Sequence, residues 1–276
     1  MPQAPSDAKP VRIAVLGADG RMGRALTRAV KAAGPEVVLT AATERAGASA
    51  IGADAGRRAG IEQAGVIIGS ALPAKGAADV WIDFTSASAT EAVTVGATAA
   101  GAALVIGTTG LGTHARAAID FAALKVPIVF AANYSVGINV MLKLIADAAR
   151  ALGPGYDLEI VEAHHRAKHD APSGTALTLA EALATATGRK LASAGRYARH
   201  GDIGPRAPSE IGVQTIRGGD VVGDHTVFFL GNGDRLEITH RATTRDTFAV
   251  GAVRAALWVA AREPGLYDMR SVLGLS

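Results

Sequence analysis

The stretch VRIAVLGADGRMGRALTRAV, residues 11–30, decides the fold. Its first part is a short run of apolar and β-branched residues, which is typical of a buried strand. Turn residues follow, and then Met22, Leu26 and Val30 recur at helical spacing. Because VVLTAAT at 37–43 also has the composition of a strand, this region predicts a strand–helix–strand unit.

The alternation continues along the first half of the chain. Further strands are predicted at 80–85, 103–110 and 126–133, with helical patterns after the first two. Such alternation predicts an α/β fold with a Rossmann-type, doubly wound parallel sheet. We expect this first domain to span residues 1–134 and to be completed by C-terminal helices at 246–276.

The pattern changes after residue 134. A long amphipathic helix precedes the strand-like YDLEIVEAHH, and another helix follows. The segments IGVQTIRGGD, HTVFFLGNGD and RLEITHRAT then predict strands joined by Gly-Asp turns as local antiparallel hairpins. We therefore expect a second, α+β domain with an open mixed sheet at 135–245.

Composition excludes several classes of protein. There is no cysteine, which rules out disulfides, thiolate zinc sites and cysteine nucleophiles. The net charge is +3, Lys and Arg are dispersed, and aromatic residues make up only 4%, so we expect no nucleic-acid surface. Residues 92–113 lack charge but are mostly Ala, Gly and Thr, which disfavours a membrane span. The polar lead-in at 1–10 has no apolar signal segment; we expect it to be disordered and the protein to be cytoplasmic.

The turn GADGRMG, Gly17 to Gly23, is a candidate nucleotide site. Asp19 makes its spacing differ from the usual dinucleotide fingerprint, but main-chain N–H groups at a helix start can still hold pyrophosphate. Glu44 ends the second strand and can accept hydrogen bonds from ribose hydroxyls, whereas Arg45 can pair with a 2′-phosphate. NADH and NADPH therefore both fit, and a plain connecting turn is the alternative.

Two more loops follow predicted strands, namely GTTG at 107–110 and AANYS at 131–135. Ligands of open α/β sheets bind at the carboxyl ends of strands. From composition alone, ligand contact and an ordinary loop both remain open for these segments.

The segment EAHHRAKHDAPSGTA, residues 162–176, has three interpretations. A metal site would use His164, His165, His169 and Asp170, but a His-Glu-x-x-His pattern is absent and adjacent histidines of a strand point to opposite faces. A proton-transfer site would combine a histidine with the cation of Lys168. A solvated polar loop before a capped helix is the third interpretation.

The end of this segment favours an anion site. Ser173 is a natural N-cap, and Gly174 and Thr175 begin a helix whose free N–H groups suit a carboxylate. A proton donor, a cation and an anion site together suit the reduction of a small acidic substrate. The other histidines are expected to be surface or hydrogen-bonded residues: His114 lies near a helix start, and His200, His225 and His240 lie in loops or at strand ends.

Motifs across nearly the whole chain resemble those of the 4-hydroxy-tetrahydrodipicolinate (dihydrodipicolinate) reductase family. The motifs are GADGRMG, ERAG, WIDFTS, VIGTTG, FAANYSVGINVMLKL, EAHHRAKHDAPSGTAL, IRGGDVVGDHTV and LEITHRATTRDTFAVGAVRAALW. The resemblance implies NADPH- or NADH-dependent reduction of a cyclic imine dicarboxylate in the diaminopimelate route to lysine, by a homotetramer that binds no metal.

The resemblance also implies roles for single residues. His164 takes the position of the acid/base histidine and Lys168 that of its companion, while His165, Gly174 and Thr175 take substrate-carboxylate positions. The implied cofactor residues are Gly17, Ala18, Asp19, Gly20, Arg21, Met22, Glu44, Arg45, Gly107, Thr108, Thr109, Ala131, Ala132, Asn133 and Tyr134. A metal-dependent hydrolase and a nucleotide-sensing regulator without turnover are the rival functions.

Overall fold

The computed structural model describes residues 9–275. This part of the chain divides into two compact units, one formed by the chain up to Val136 together with the chain from Arg245, and one formed by Gly137–Thr244. The polar lead-in at 1–10 lies, except for Lys9 and Pro10, outside the described residues.

Strands and helices alternate through most of the first unit and are mixed in the second. The strands are β1 (Val11–Leu16), β2 (Val37–Thr43), β3 (Ile68–Gly69), β4 (Val80–Asp83), β5 (Ala103–Ile106), β6 (Pro127–Phe130), β7 (Asp157–His164), β8 (Gly195–Arg196), β9 (Ile211–Arg217), β10 (Gly223–Leu230), β11 (Arg235–Ala242) and β12 (Gly265–Tyr267). The helices are α1 (Arg21–Ala32), α2 (Ala55–Arg58), α3 (Ala87–Ala100), α4 (Thr113–Ala122), α5 (Val136–Leu152), α6 (Gly174–Ala186), α7 (Leu191–Ala194), α8 (Asp246–Val259) and α9 (Met269–Leu273).

The first unit is built on a seven-stranded sheet in the order β12-β6-β5-β4-β1-β2-β3. Its neighbouring strands pair in parallel. The predicted Rossmann-type fold is therefore confirmed, and the order reverses on either side of β1, where ligands of such sheets bind.

Burial of β1 on both faces explains its continuous apolar sequence. Ile13 and Val15 belong to the core under α1 and α8, whereas Ala14 and Leu16 belong to the core under α3 and α4. Alternate residues of a strand point to opposite faces, so a strand covered on both sides is apolar throughout. The glycine turn thus follows a strand whose last four residues are fully buried.

The second unit contains a five-stranded mixed sheet in the order β11-β10-β7-β9-β8. Apolar residues of α5 and α6 pack on one face of it. The opposite face carries half-exposed apolar side chains such as Phe228 and Leu230, together with Ile216, which is 54% exposed. The sheet is therefore layered with helices on one side.

The prediction that β9 and β10 form a hairpin is wrong. β7 lies between them, parallel to β9 and antiparallel to β10. The connection at 218–222 crosses the end of β7: Gly218 N–H donates to the His164 carbonyl at 3.0 Å, and His165 N–H donates to the Val221 carbonyl at 2.7 Å. A crossing over one strand spans about 10 Å, twice the roughly 5 Å between adjacent strands, and the five residues are long enough for it. Only the β10–β11 hairpin forms as expected.

Candidate active site

The glycine turn after β1 allows the main chain at Gly17 to lie close to the first turn of α1. Gly17 has a φ of +69°, in the left-handed region that favours glycine. A Cβ at Gly23 would lie 2.0 Å from the Gly17 carbonyl oxygen, so any side chain would push α1 away from the turn. Gly20, the N-cap of α1, supplies no side-chain cap. The N-terminal N–H groups of this 12-residue helix are therefore suited to an anion such as pyrophosphate.

Glu44 follows β2 and is fixed by main-chain donors. Its Oε2 accepts from the Asp19 N–H at 3.2 Å, and its Oε1 accepts from the Arg45 N–H at 3.0 Å. The carboxylate is thus held next to the glycine turn while it keeps lone pairs for further donors. This is the geometry that recognition of ribose hydroxyls needs.

Asp19 is paired with two arginines, Arg24 and Arg58, neither of which was predicted from the sequence. Arg58 of α2 donates to its two oxygens at 2.8 and 2.7 Å, and Arg24 donates to Oδ1 at 2.9 Å. Hydrogen bonds from Arg58 lower the pKa of Asp19, against the opposing effect of partial burial, and Arg24 lowers it further. The two guanidinium groups neutralise the Asp19 carboxylate, so its charge does not oppose the binding of a phosphate at the turn.

A cleft of about 390 Å³ lies beside the glycine turn. Gly17, Gly20, Glu44 and Arg45 line it, as do Phe84–Ser86 after β4. The other residues predicted in the turn have different surroundings: Ala18 is buried in the core, Met22 packs partly against it, and Arg21 is exposed.

The Phe84–Ser86 turn is held by Asp83, a fully buried carboxylate at the end of β4. Its Oδ1 accepts from the Thr85 N–H at 2.9 Å and from the Thr85 hydroxyl at 2.5 Å, and its Oδ2 accepts from the Thr90 hydroxyl at 2.8 Å. A buried charge that is so fully hydrogen-bonded gives a turn of fixed shape. One wall of the cleft is therefore rigid.

The predicted loop Gly107–Thr109 adjoins this wall. A Cβ at Gly107 would lie 2.1 Å from the Phe84 ring, so glycine makes room for that ring. Thr108 is buried, whereas Thr109 is exposed. The loop can therefore present main chain and one hydroxyl at the carboxyl edge of the sheet.

The second predicted loop, at 131–134, is organised by Tyr134. Its ring lies 5.3 Å from that of Phe84, and its buried hydroxyl lies 2.9 Å from the carbonyl oxygens of Ile106 and Val129. Because the hydroxyl is hydrogen-bonded to main-chain carbonyls within the protein, Tyr134 supports the site rather than presenting its hydroxyl to a ligand. Ala131 and Asn133 are half-buried and Ala132 is exposed.

In the second unit, β7 places two ionisable side chains on one buried face. Burial alternates along this strand, and Glu162 and His164 are both buried. Residues two apart share a face of a strand, which brings the carboxylate beside the imidazole. Glu162 Oε2 lies 2.5 Å from His164 Nδ1.

Glu162 has a full set of further donors. Arg217 donates to both oxygens at 2.8 Å, while the Ser173 N–H at 3.0 Å and the Thr215 hydroxyl at 3.1 Å donate to Oε1. Burial raises the pKa of Glu162, but the hydrogen bonds from Arg217, His164 and Ser173 more than offset this and lower it to about 2. The carboxylate is therefore ionised at neutral pH.

His164 is 8% exposed as a residue. Burial lowers its pKa, Glu162 raises it, and the charges of Lys168 and Arg217 lower it again, with a net lowering. Nδ1 faces Glu162, so Nε2 is the nitrogen that can exchange a proton with a ligand.

Lys168 lies in the loop after β7. Its Nζ is 2.8 Å from Asp170 Oδ1, and its N–H donates to the His165 carbonyl at 3.1 Å. Its charge is one of the causes that lower the pKa of His164. His165 is half-buried and His169 is exposed.

Ser173 caps α6 as its position predicted. Its Oγ accepts from the Ala176 N–H at 3.1 Å, while its own N–H is bound to Glu162. Gly174 and Thr175 form the first turn of this 13-residue helix. One carboxylate thus holds both the histidine and the residue that starts the helix, which brings the candidate acid and the anion site together.

His225 is a site residue that sequence analysis missed. It lies within β10, is 4% exposed, and its ring centroid is 5.2 Å from that of His164. Its Nε2 is 3.1 Å from Ser173 Oγ. Burial and, to a lesser extent, His164 lower its pKa to about 4, so it is neutral at physiological pH. Its position 61 residues after His164 gave no local signal.

The structure offers no arrangement for a metal within residues 9–275, where no group of three or more His, Asp or Glu side chains could hold one. None of the helices in that range is both long and apolar enough to cross a membrane.

A Rossmann-type unit with a candidate dinucleotide cleft, joined in one chain to a unit with a buried histidine–carboxylate pair, is the arrangement expected of a nicotinamide-dependent oxidoreductase. Family models described as "Dihydrodipicolinate reductase, N-terminus" and "Dihydrodipicolinate reductase, C-terminus" match residues 11–134 and 137–273. The chain belongs to the dihydrodipicolinate reductase family of NAD(P)H-dependent oxidoreductases.

Curated relatives agree with the family models. The chain is 56% identical to 4-hydroxy-tetrahydrodipicolinate reductase of Alkalilimnicola ehrlichii over 266 residues, covering 96% of this chain and 99% of the relative. It is 54% identical to the enzyme of the same name from Anaeromyxobacter dehalogenans strain 2CP-1, covering 96% and 98%.

Solved structures share the fold. A dipicolinate-bound dihydrodipicolinate reductase from Paenisporosarcina sp. TG-14 aligns with a TM-score of 0.74 at 22% identity, covering 94% of this chain and 97% of that one. GenD2 from gentamicin A biosynthesis, in complex with NAD, aligns with a TM-score of 0.59 at 16% identity, covering 95% and 89%.

Proposed function

We propose that this chain reduces 4-hydroxy-tetrahydrodipicolinate to tetrahydrodipicolinate with NADPH or NADH, in the diaminopimelate route to lysine. The observation that carries the proposal is the buried Glu162–His164 pair, whose carboxylate also binds the first residue of the α6 cap. Relatives that carry this enzyme's name share more than half of their residues with the chain.

The cofactor is assigned to the first unit, completed by residues 246–276. The uncapped start of α1 would hold the pyrophosphate, Glu44 the ribose hydroxyls, and Arg45 a 2′-phosphate. When bound, the cofactor supplies the hydride. The remaining proposed contacts are Ala18, Asp19, Arg21, Met22, Gly107, Thr108, Thr109, Ala131, Ala132, Asn133 and Tyr134, of which Ala18, Met22 and Tyr134 contribute main chain or support.

The substrate is assigned to the domain at 135–245. The N–H groups of Gly174 and Thr175 would bind one carboxylate, with the helix dipole aligned favourably. His165 and the Lys168 ammonium would hold the other acidic group. A dicarboxylate therefore fits this cluster better than a neutral substrate does.

His164 is the proposed general acid. The reduction consumes one hydride and one proton and releases one water. The proton comes from His164 Nε2, while the Nδ1–H group keeps its hydrogen bond to the Glu162 carboxylate. Lys168, close to the imidazole and to the acidic group, is its proposed companion.

Residues 135–245 are also the proposed oligomerisation domain, in a cytoplasmic homotetramer. The half-exposed apolar side chains on the helix-free face of the five-stranded sheet support association, and the absence of cysteine fits a reducing compartment. Sedimentation equilibrium tests the assembly: a tetramer has four times the chain mass of 27.9 kDa, and a monomer mass would contradict it.

The direct test is oxidation of NADPH and NADH by the purified chain with enzymatically generated substrate. Turnover with either cofactor supports the proposal. Tight cofactor binding without turnover would instead identify a nucleotide-sensing regulator, and stoichiometric bound metal with hydrolytic activity would identify a hydrolase.

A further inference from the structure

Glu162 lies beneath the proposed acid. It is fully buried, and its oxygens accept from five donor groups on four residues, namely His164 Nδ1, two nitrogens of Arg217, the Ser173 N–H and the Thr215 hydroxyl. A buried charge with this many fixed donors cannot rotate without breaking several hydrogen bonds. The carboxylate plane is therefore locked in the position from which it meets the imidazole.

This contact determines which histidine nitrogen carries a proton. An ionised carboxylate only accepts hydrogen bonds, so the Nδ1 that lies 2.5 Å from Glu162 must carry a hydrogen. In the neutral ring the lone pair is then on Nε2, and in the charged ring the second proton is on Nε2. Proton exchange with the substrate is thereby directed through one atom.

The other groups around His164 disfavour its protonated form, so that form depends on Glu162. The cations of Lys168 and Arg217 face the ring from the loop after β7 and from β9, and His225 faces it from β10. Asp170 is paired with Lys168, so its charge partly offsets that ammonium. Burial and both cations disfavour the imidazolium, and Glu162 is the group that favours it.

Glu162 also reaches the proposed carboxylate site. Its Oε1 accepts from the Ser173 N–H, and Ser173 caps the helix that starts at Gly174. The same carboxylate therefore sets the position of the proton donor and the position of the helix end that would bind the substrate. Arg217 further ties this arrangement to the loop, because it donates to the Asp170 carbonyl.

We propose that Glu162, clamped by Arg217, is a positioning residue that holds His164 in the Nδ1–H form, so that Nε2 delivers the proton, and that aligns this nitrogen with the N-terminus of α6. The inference rests on the proposed function, because it takes His164 to be the acid. In the proton step the Nε2–H bond breaks, a bond from hydrogen to the substrate forms, and the ring becomes neutral with its remaining proton on Nδ1.

The first test needs no substitution of Glu162. Histidine ¹⁵N–¹H correlation spectra of the wild-type chain report the tautomer of each ring, and the spectrum of His164→Ala identifies the His164 signals. We expect Nδ1 to be protonated and Nε2 to have the shift of an unprotonated nitrogen at a pH above the His164 pKa. A protonated Nε2 with a bare Nδ1 would overturn the proposal.

The second test is Glu162→Gln in the full chain. The amide oxygen can replace Oε1 opposite Ser173, and the amide NH₂ then faces Nδ1 and moves the ring proton to Nε2. We expect kcat to fall about 10²-fold, with Kd for NADPH unchanged, since a general acid contributes about 10²–10⁴-fold. Because the protonated ring is the active form and Glu162 raises its pKa, the loss of activity with rising pH should begin at lower pH in the variant.

Glu159→Gln is the matched control. Glu159 lies on the same strand and, like Glu162, accepts from guanidinium groups, in its case those of Arg199 and Arg206, but no hydrogen bond joins it to His164. We expect it to keep the kcat, pH profile and tautomer of the wild type. If His164→Ala abolishes turnover while Glu162→Gln keeps the wild-type kcat and pH profile, the positioning role fails and the acid assignment stands. If His164→Ala turns over normally, the acid assignment fails and the positioning role fails with it, whereas the proposed function itself fails only if the wild-type chain shows no turnover with either cofactor.

Discussion

Ser173 connects α6 to His225: its Oγ accepts from the Ala176 N–H and lies 3.1 Å from His225 Nε2. One hydroxyl thus completes a helix cap and contacts a buried, neutral imidazole. Because the Ser173 N–H is bound to Glu162 as well, the start of α6 is held from two sides. The helix end proposed to bind a carboxylate is therefore preorganised.

Ser173→Ala should weaken both stability and substrate binding. Loss of an N-cap costs about 1 kcal/mol of the free energy of unfolding. The turn that carries the Gly174 and Thr175 N–H groups also loses the hydrogen bond from the Ala176 N–H to Ser173 Oγ that orders it. We therefore expect KM for the dicarboxylate to rise several-fold while Kd for NADPH stays constant. Urea unfolding and steady-state kinetics measure the two effects.

Asp268→Ala is a matched control for that substitution. Asp268 caps α9 in the first unit by accepting from the Ser271 N–H at 2.9 Å. It should lose a similar free energy of unfolding with no change in KM for substrate. An equal rise in KM in both variants would mean that the effect of Ser173 is only global destabilisation.

His164→Ala should lower turnover by about 10²–10⁴-fold, the usual range for a lost general acid. The imidazole lies in the second unit and the cofactor cleft in the first, so Kd for NADPH should barely change. His114→Ala removes an exposed histidine and should be fully active. Near-wild-type turnover of His164→Ala would show that another group supplies the proton.

The sequence predicted those features that depend on neighbouring residues. The period of apolar residues located most of the strands and helices, and the Ser173 cap followed from one polar residue before a helical pattern. The glycine turn and Glu44 were visible because the fingerprint has a fixed spacing.

The remaining features depend on chain segments that meet only in the fold. Arg58 reaches Asp19 from 39 residues away, and Arg217 reaches Glu162 from 55 residues away. The insertion of β7 between β9 and β10 is equally non-local, since a Gly-Asp turn has the same composition in a hairpin and in a crossing connection. No periodicity encodes such pairings, so His225 and Arg217 were not predicted as site residues.

Arg45→Ala should weaken NADPH binding more than NADH binding. Arg45 is exposed and lines the cleft beside Glu44, where a 2′-phosphate would meet it. We expect Kd for NADPH to rise about tenfold, roughly 1.4 kcal/mol, and Kd for NADH to change little. Fluorescence titration with each cofactor measures both constants. Arg57→Ala, the loss of another exposed arginine, is the control, and equal weakening of both cofactors by Arg45→Ala would remove Arg45 as a phosphate partner.

His225 should make folding stability depend on pH on the acidic side of neutrality. In the folded chain the pKa of His225 is about 4, whereas its ordinary value is 6.5. Between these values the unfolded chain binds the extra proton, so the free energy of unfolding falls as pH falls from 6.5 towards 4. The full difference is of the order of 3 kcal/mol at about 1.4 kcal/mol per unit.

His225→Gln removes the titrating imidazole, so the free energy of unfolding should fall less steeply with falling pH than it does in the wild type. The comparison needs urea unfolding at about pH 7 and about pH 4.5, where Glu162 is ionised in the folded chain because its pKa is about 2. His164 and His240, whose pKa values are also lowered, titrate in both proteins, so the difference between the two slopes isolates His225. His200→Gln, at an exposed position, should keep the wild-type slope. If His225→Gln also kept it, His225 would have to be protonated in the folded chain, and the neutral partner assigned to Ser173 would be wrong.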